Sequence, residues 1–374
     1  MKRLIAFLIR MFLAACYAPM KLMRTRNKIT MISRQGDNPS VDFQRLEAAL
    51  REDFPHWEVE VLCYEFHTSI AKKVGYLGHV FTQMRHIATS RLIVLDTYCI
   101  PVSVLRHKRE LRVLQMWHAL GSLKKFGYSI LDVGEGSSSE TARAMRMHRN
   151  YDAVLTSAEP CRIPFAEAFD TPVEKVYAAP LPRVDVLRDP AWRADRRAAL
   201  LEAFPELATG KNVLFAPTFH KGQRFAADEL HKYFARSGYN LIAKPHPVAL
   251  RGDDVIAQRY RSFTAFEFLA IADYLVTDYS SIMFEAGVAD VPVFVFAPDL
   301  EQYTKDRNFY IDFVQEMPGP ISKSFDGLLA DLEADTGDRT AIREFTRKYV
   351  EVPAAGATSE IVRIARELIE GAGA

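Results

Sequence analysis

Thr277-Asp278-Tyr279-Ser280-Ser281 follows an apolar run at 274–276 and leads directly into a helical pattern that carries Glu285. Backbone N–H groups at a helix start lack intrahelical partners, and with the Ser280 and Ser281 hydroxyls they make a seat for a phosphate, here most simply a diphosphate. The competing reading of the same residues is a plain N-cap. Two further stretches bring titratable groups. An apolar run at 113–116 is followed by Trp117, His118, Ala119, Leu120, Gly121 and Ser122, then by Lys124 and Lys125. A histidine beside a Gly-Ser turn and two lysines is suited to taking a proton from a hydroxyl while the cations face a phosphate. A structural histidine is the alternative. In Lys244-Pro245-His246-Pro247, two prolines fix the backbone around one imidazole and so give it a defined direction, either for a phosphate or as the cap of a turn. The run at 213–216 ends in Pro217-Thr218-Phe219-His220, and Arg183 stands in Pro182-Arg183-Val184-Asp185, where it either clamps a phosphate or braces a hinge.

Strands must end beneath these residues, because in doubly wound sheets ligands sit beyond the carboxyl ends of the strands. The sequence supplies them. Short apolar runs at 29–32, 59–62, 92–95, 113–116, 153–155 and 176–177 alternate with helical patterns near 42–52 and 77–90. Such alternation predicts a parallel α/β sheet. After Ala179-Pro180-Leu181-Pro182 a second series follows at 213–216, 241–243, 274–276 and 293–296. The expected organisation is an N-terminal Rossmann-like domain over 27–183 and a second over 184–345. Helices over 346–374 would cross back to the first domain. Neither G-x-G-x-x-G nor the P-loop pattern occurs, so the dinucleotide and P-loop readings lack their glycines.

Composition limits the partners. Lys+Arg 48 against Asp+Glu 47 gives a net charge of +1 over 374 residues, so no global basic field points to nucleic acid. The four cysteines have no metal-ligand spacing and fit a reducing compartment. No metal or cofactor is implied. The N-terminus differs from the rest: Lys2, Arg3, Arg10, Lys21, Arg24, Arg26 and Lys28 precede the first acid, Asp37, with apolar residues between them. A helix of about 18 residues, roughly 27 Å, barely matches a bilayer core, and Arg10 in its middle opposes spanning. Residues 1–26 therefore read as a basic amphipathic helix on an anionic membrane, peripheral and on the cytoplasmic side. A secretion or lipoprotein leader and a plain core helix are the alternatives.

Taken together and in order, these motifs resemble the CDP-glycerol glycerophosphotransferase family of teichoic acid synthesis, enzymes of the two-domain GT-B type. Asp37-Asn38-Pro39 is similar to the family's opening, and Trp117-His118 with Leu123-Lys124-Lys125-Phe126-Gly127 to its W-H-G…L-K-K-x-G signature. Pro182-Arg183-Val184-Asp185 resembles P-R-N-D, Ala216-Pro217-Thr218 resembles A-P-T, and Lys244-Pro245-His246-Pro247 the H-P motif. Thr277-Asp278-Tyr279-Ser280-Ser281 is similar to T-D-Y-S-S throughout, and 299–303, 309–312, 318–320, Gly356 and 359–360 continue the likeness. The departures are Ala119 for a glycine, one extra residue before Gly121, and Val184 for an asparagine; they put the acceptor side in question.

The resemblance implies two Rossmann-like domains facing a central cleft. It further implies transfer of glycerol phosphate from CDP-glycerol to a hydroxyl of a lipid-linked saccharide or polyol-phosphate acceptor, with release of CMP. His118 would be the general base and His246 a second catalytic residue. The donor would be held by Arg183, Thr218, Lys244, Asp278, Ser280, Ser281 and Glu285, with Asp278 orienting its loop. The acceptor side would be Trp117, Gly121, Ser122, Lys124 and Lys125. A CDP-ribitol donor, a GT-B nucleotide-sugar glycosyltransferase and a non-catalytic nucleotide-binding membrane protein are the rival readings.

Overall fold

A computed structural model describes residues 2–65, 70–134, 136–218, 233–235, 237–244 and 258–372, and the chain forms two compact units. The first comprises Met1–Ala119, Lys125–Arg183 and Glu351–Ala374; the second comprises Leu120–Lys124 and Val184–Val350. The chain thus leaves the first unit briefly at 120–124, an excursion that no sequence pattern announces.

The first unit is built on β1 (Lys28–Ser33), β2 (Glu58–Cys63), β3 (Leu92–Leu95), β4 (Arg112–Gln115), β5 (Ala153–Thr156) and β6 (Val176–Ala178), ordered β2-β1-β3-β4-β5-β6. All pairings are parallel. β1 and β3 are buried along their whole length, as strands covered by helices on both faces must be. The covering helices carry their own start signals. Val41–Asp53 begins at Ser40, whose hydroxyl accepts from the Phe43 N–H, and buries Phe43, Leu46 and Leu50. The C-terminal helix Ala357–Gly371 packs on that helix and on β3 and β4, burying Ile361, Ile364 and Ala365. Its return is pinned where the Glu351 N–H donates to the Ser157 carbonyl at 2.8 Å.

The second unit holds β7 (Lys211–Phe215), β8 (Tyr239–Ala243), β9 (Tyr274–Thr277), β10 (Val293–Phe296) and β11 (Ile321–Ser322), again all parallel, in the order β11-β10-β9-β7-β8. One face buries Val213, Phe215, Tyr274, Val276 and Phe294 against Leu328 and Leu332. In each sheet the strand order reverses once, between β1 and β3 and between β7 and β9. Those two reversals are where a doubly wound sheet opens a crevice for ligand.

The N-terminal helix, Lys2–Met20, belongs to the first unit, on which it seats Ala6, Leu13 and Tyr17. Leu4, Ile5, Phe7, Leu8, Ile9, Met11 and Phe12 remain exposed. The cations of the N-terminal segment, within this helix and after it, are less available than the sequence indicates. Arg3 pairs with Glu140, Arg10 donates to the Ala144 carbonyl, Arg26 pairs with Glu58, and Lys28 is buried with its Nζ on Thr89 Oγ1.

Candidate active site

In the first unit the crevice residues come from the ends of three strands. β4 ends at Gln115, and Trp117 then takes a left-handed backbone with φ 58°, a conformation that costs a bulky residue about 1–3 kcal/mol. Its surroundings hold it there. The Trp117 N–H donates to Gln115 Oε1 at 2.9 Å, and its ring stacks on Phe126 with centroids 5.1 Å apart, edge-on to Phe169. This turn delivers His118 to the end of β3, where its Nδ1–H donates to the Asp96 carbonyl at 2.9 Å. A carbonyl can only accept, so the proton of the neutral ring sits on Nδ1 and Nε2 carries the lone pair. Nε2 has no partner among the described residues. Burial pushes the His118 pKa down to about 4, helped by the Arg183 guanidinium, while the Asp96 carbonyl and Asp42 oppose the shift. The ring is therefore neutral at pH 7, the form a base requires.

Arg183 is engaged rather than open. Its Nε and backbone N–H donate to Asp42 at 2.8 Å each, and its Nη2 lies 2.5 Å from Asp42 Oδ2. Asp42 is buried, so this is a desolvated pair whose loss on one side would strand the other charge. The geometry corresponds to the bracing alternative, a brace made inside the first unit.

In the second unit Asp278 follows β9 and accepts from the Thr218 N–H through both oxygens, at 2.8 and 3.0 Å, and from the Tyr279 N–H at 2.5 Å. One buried carboxylate thereby fixes the loops after β7 and β9 across the reversal point. Thr277 Oγ1, donating to the Ala216 carbonyl at 2.7 Å, adds a second tie. Tyr279 is fully buried, stacked on Tyr303 at 3.9 Å with its hydroxyl on Asp299. The chain then turns into Ile282–Val288, a helix of 7 residues. Ser281 makes no side-chain cap bond, and Ser280 Oγ receives only a long 3.5 Å contact from the Ile282 N–H. The plain N-cap account thus leaves the serine hydroxyls largely unused. Thr218 Oγ1 is buried with no partner among the described residues.

Two other expected donor residues are tied within the protein. Lys244 Nζ donates to the Tyr260 carbonyl at 2.9 Å and lies over the Phe268 ring, and burial lowers its pKa. Glu285 is buried in the short helix after the serines. His246 lies outside the described residues, as does His220.

The residues expected to form one acceptor side are divided between the units. Trp117 and Lys125 belong to the first, with His118; Gly121, Ser122 and Lys124 belong to the second. The reason is local. Lys124 bridges to Phe309, and the Leu123 carbonyl accepts from the Tyr310 N–H at 3.0 Å. Gly121 has φ +65°, and a Cβ there would stand 2.2 Å from the Phe284 ring, so only glycine fits.

Asp96 is the site residue that the motif reading missed. It is 2% exposed, receives Ser33 Oγ at 2.7 Å and Gln35 Nε2 at 3.0 Å on Oδ2, and holds His118 through its own carbonyl. The available signal was positional, since Ser33 and Asp96 each end or follow an apolar run.

Comparison with known proteins identifies the family and the fold. The sequence profile of the CDP-Glycerol:Poly(glycerophosphate) glycerophosphotransferase family matches residues 16–366. The teichoic acid ribitol-phosphate primase of Bacillus spizizenii is 32% identical over 339 residues, covering 87% of each chain. The teichoic acid glycerol-phosphate primase of the same organism is 23% identical over 372 residues, covering 93% of this chain and 94% of its own. Among solved structures, a variant of the wall teichoic acid polymerase TagF soaked with CDPG superposes with a TM-score of 0.74 at 19% identity, over 99% of this chain and 98% of that one. The GT-B-like pair of parallel sheets is thus a fold shared with TagF, and the chain belongs to the CDP-glycerol:poly(glycerophosphate) glycerophosphotransferase family.

Proposed function

We propose that the protein transfers a polyol phosphate from its CDP ester to a hydroxyl of a membrane-linked acceptor in teichoic acid synthesis, releasing CMP. The observation that carries this reading is the His118 tautomer: Nδ1–H held by the Asp96 carbonyl, Nε2 unprotonated and without a partner among the described residues. A base of that form takes the proton of the attacking hydroxyl. The new O–P bond forms at the polyol-bearing phosphorus, and the P–O bond to CMP breaks with its electron pair leaving on CMP. Ser280, Ser281 and Thr218 would donate hydrogen bonds to the diphosphate from loops that Asp278 fixes. His246 and Lys244 are proposed donor contacts on the strength of the family motif alone.

The glycerol donor implied by the motifs stands beside a ribitol donor. Identity of 32% to a ribitol-phosphate primase against 23% to a glycerol-phosphate primase favours ribitol. The test is incubation with CDP-ribitol or CDP-glycerol and a panel of lipid-linked saccharide and polyol-phosphate acceptors, scoring CMP and product. Release of a nucleoside diphosphate from a nucleotide sugar, with no CMP from either CDP-polyol, would instead make the protein a glycosyltransferase.

Membrane association through the N-terminal helix belongs to the same reading. Soluble surfaces rarely present an apolar stretch of this extent, and a lipid surface accounts for it.

A further inference from the structure

The crevice at the β1–β3 reversal contains a group that the base and donor roles leave unexplained. Asp96 Oδ2 accepts from Ser33 and Gln35, whereas Asp96 Oδ1 is buried with no hydrogen-bond partner among the described residues. Buried carboxylate oxygens are ordinarily satisfied. Here the unsatisfied one sits on the residue whose peptide carbonyl holds the base, so its position relative to His118 is fixed by a few covalent bonds. Resting on the polyol-phosphate reading above, we infer that Asp96 recognises the acceptor: Oδ1 accepts a hydrogen bond from a hydroxyl of the acceptor's terminal polyol or sugar that neighbours the attacking hydroxyl.

The arrangement would present that acceptor in register with Nε2. A purely structural role explains less, because Ser33 and Gln35 need only one oxygen, and an asparagine would provide it. The ionisation state is consistent. Burial raises the Asp96 carboxyl to about 6, with Asp42 reinforcing the shift and the Ser33, Gln35 and Thr97 side chains opposing it, although the Thr97 hydroxyl makes no bond to Oδ1 of hydrogen-bond length; Cys63, at the end of β2, also feels its charge. Uptake of a proton below that pH removes the negative charge and so weakens the carboxylate as an acceptor.

Asp96→Asn is the informative variant. Ser33 and Gln35 both donate to one atom, so the amide must present its oxygen to them and its NH2 group where Oδ1 stood, converting an acceptor into a donor with little change of shape. With the best acceptor from the panel above, we expect acceptor KM to rise roughly ten- to hundred-fold, the effect of losing one charged hydrogen bond. The donor KM and the kcat at saturating acceptor should stay within a few-fold of wild type. Wild-type kcat/KM for acceptor should fall below about pH 6, and the variant should lack that limb. An acceptor analogue deoxygenated beside the attacking hydroxyl should penalise the wild type and not the variant. If Asp96→Asn does not fold, Ser33→Ala, which frees the carboxylate to turn, should shift acceptor KM in the same direction. Unchanged acceptor KM, or a fall in kcat alone as expected for a group acting only through His118 or a bound water, overturns the inference. Absence of CMP release by the wild type from either CDP-polyol overturns the parent reading and this one with it.

Discussion

His118 can act at neutral pH only if it is unprotonated, and its environment ensures that. Burial and the nearby Arg183 guanidinium hold its pKa near 4, well below the usual 6.5. Since a depressed histidine pKa leaves the neutral base form present at any pH above the folded value, the ring itself imposes no loss of activity between pH 7 and 5. His118→Ala should lower kcat by about 10²–10⁴-fold, the usual contribution of a positioned base, with donor affinity unchanged by equilibrium binding. A variant that loses donor binding instead would remove the base assignment. Asp96 titrates in the opposite sense: its folded pKa is raised, so ionisation weakens the fold as pH climbs from about 4 through 6. Asp96→Asn is therefore expected to be more stable than wild type at pH 7 and no more stable at pH 4. The gain at pH 7 should reach at most about 3 kcal/mol, the free-energy equivalent of moving a carboxyl from its ordinary range to about 6. Thermal melts at the two pH values check it, and equal melting differences at both would contradict the buried-charge account. His118 was legible because imidazoles are few and this one follows an apolar run beside lysines. Asp96 was not, since an aspartate after a strand is common and only its neighbours Ser33 and Gln35, 63 and 61 residues away in sequence, make it unusual.

At the scale of elements, the candidate donor residues of the second unit depend on loops that one carboxylate fixes. Asp278 ties the β7 and β9 loops through the Thr218 and Tyr279 N–H groups, so Asp278→Ala leaves those donors unsatisfied at about 1–3 kcal/mol each and should reduce both stability and donor affinity. Ser280→Ala with Ser281→Ala keeps the ties and removes only hydroxyls. The double variant should fold normally and bind a CDP-polyol ten-fold or more weakly by calorimetry, and unchanged affinity would reduce the serines to helix-start residues. Strands were readable nearly to the residue, because runs such as Leu92–Leu95 and Tyr274–Thr277 are buried on both faces and must be apolar throughout. The two-residue edge strand Ile321–Ser322 is too short to leave such a pattern. The excursion of residues 120–124 was likewise invisible, since it rests on backbone pairing to Phe309 and Tyr310 and on the fit of Gly121 against the Phe284 ring, neither of which leaves a periodic pattern.

For the whole molecule, the open question is what force would hold the first unit at a membrane. Eight cations precede Asp37, yet Arg3, Arg10, Arg26 and Lys28 are engaged within the unit and Arg34 lies over the Tyr98 ring, leaving Lys2, Lys21 and Arg24 without partners among the described residues. At about 1 kcal/mol per basic residue near an anionic leaflet, electrostatics contributes roughly 3 kcal/mol. Each large apolar side chain transferred from water adds about 1.5–3 kcal/mol, and Leu4, Leu8 and Phe12 alone are 62%, 57% and 58% exposed. The apolar term is the larger one. Leu4, Leu8 and Phe12 recur at a spacing of four and so share one face of the helix, away from the seated Ala6, Leu13 and Tyr17. Changing all three to glutamate should abolish co-sedimentation with anionic vesicles while leaving the melting temperature unchanged, whereas high salt should weaken wild-type binding without releasing the protein. Deleting the helix is a poorer test, because it also strips Tyr17 from its contact with His107 and uncovers the surface beneath Leu13. A triple variant that still sediments with vesicles, or a wild type that salt alone extracts completely, would show that basic residues rather than the apolar face supply the attachment.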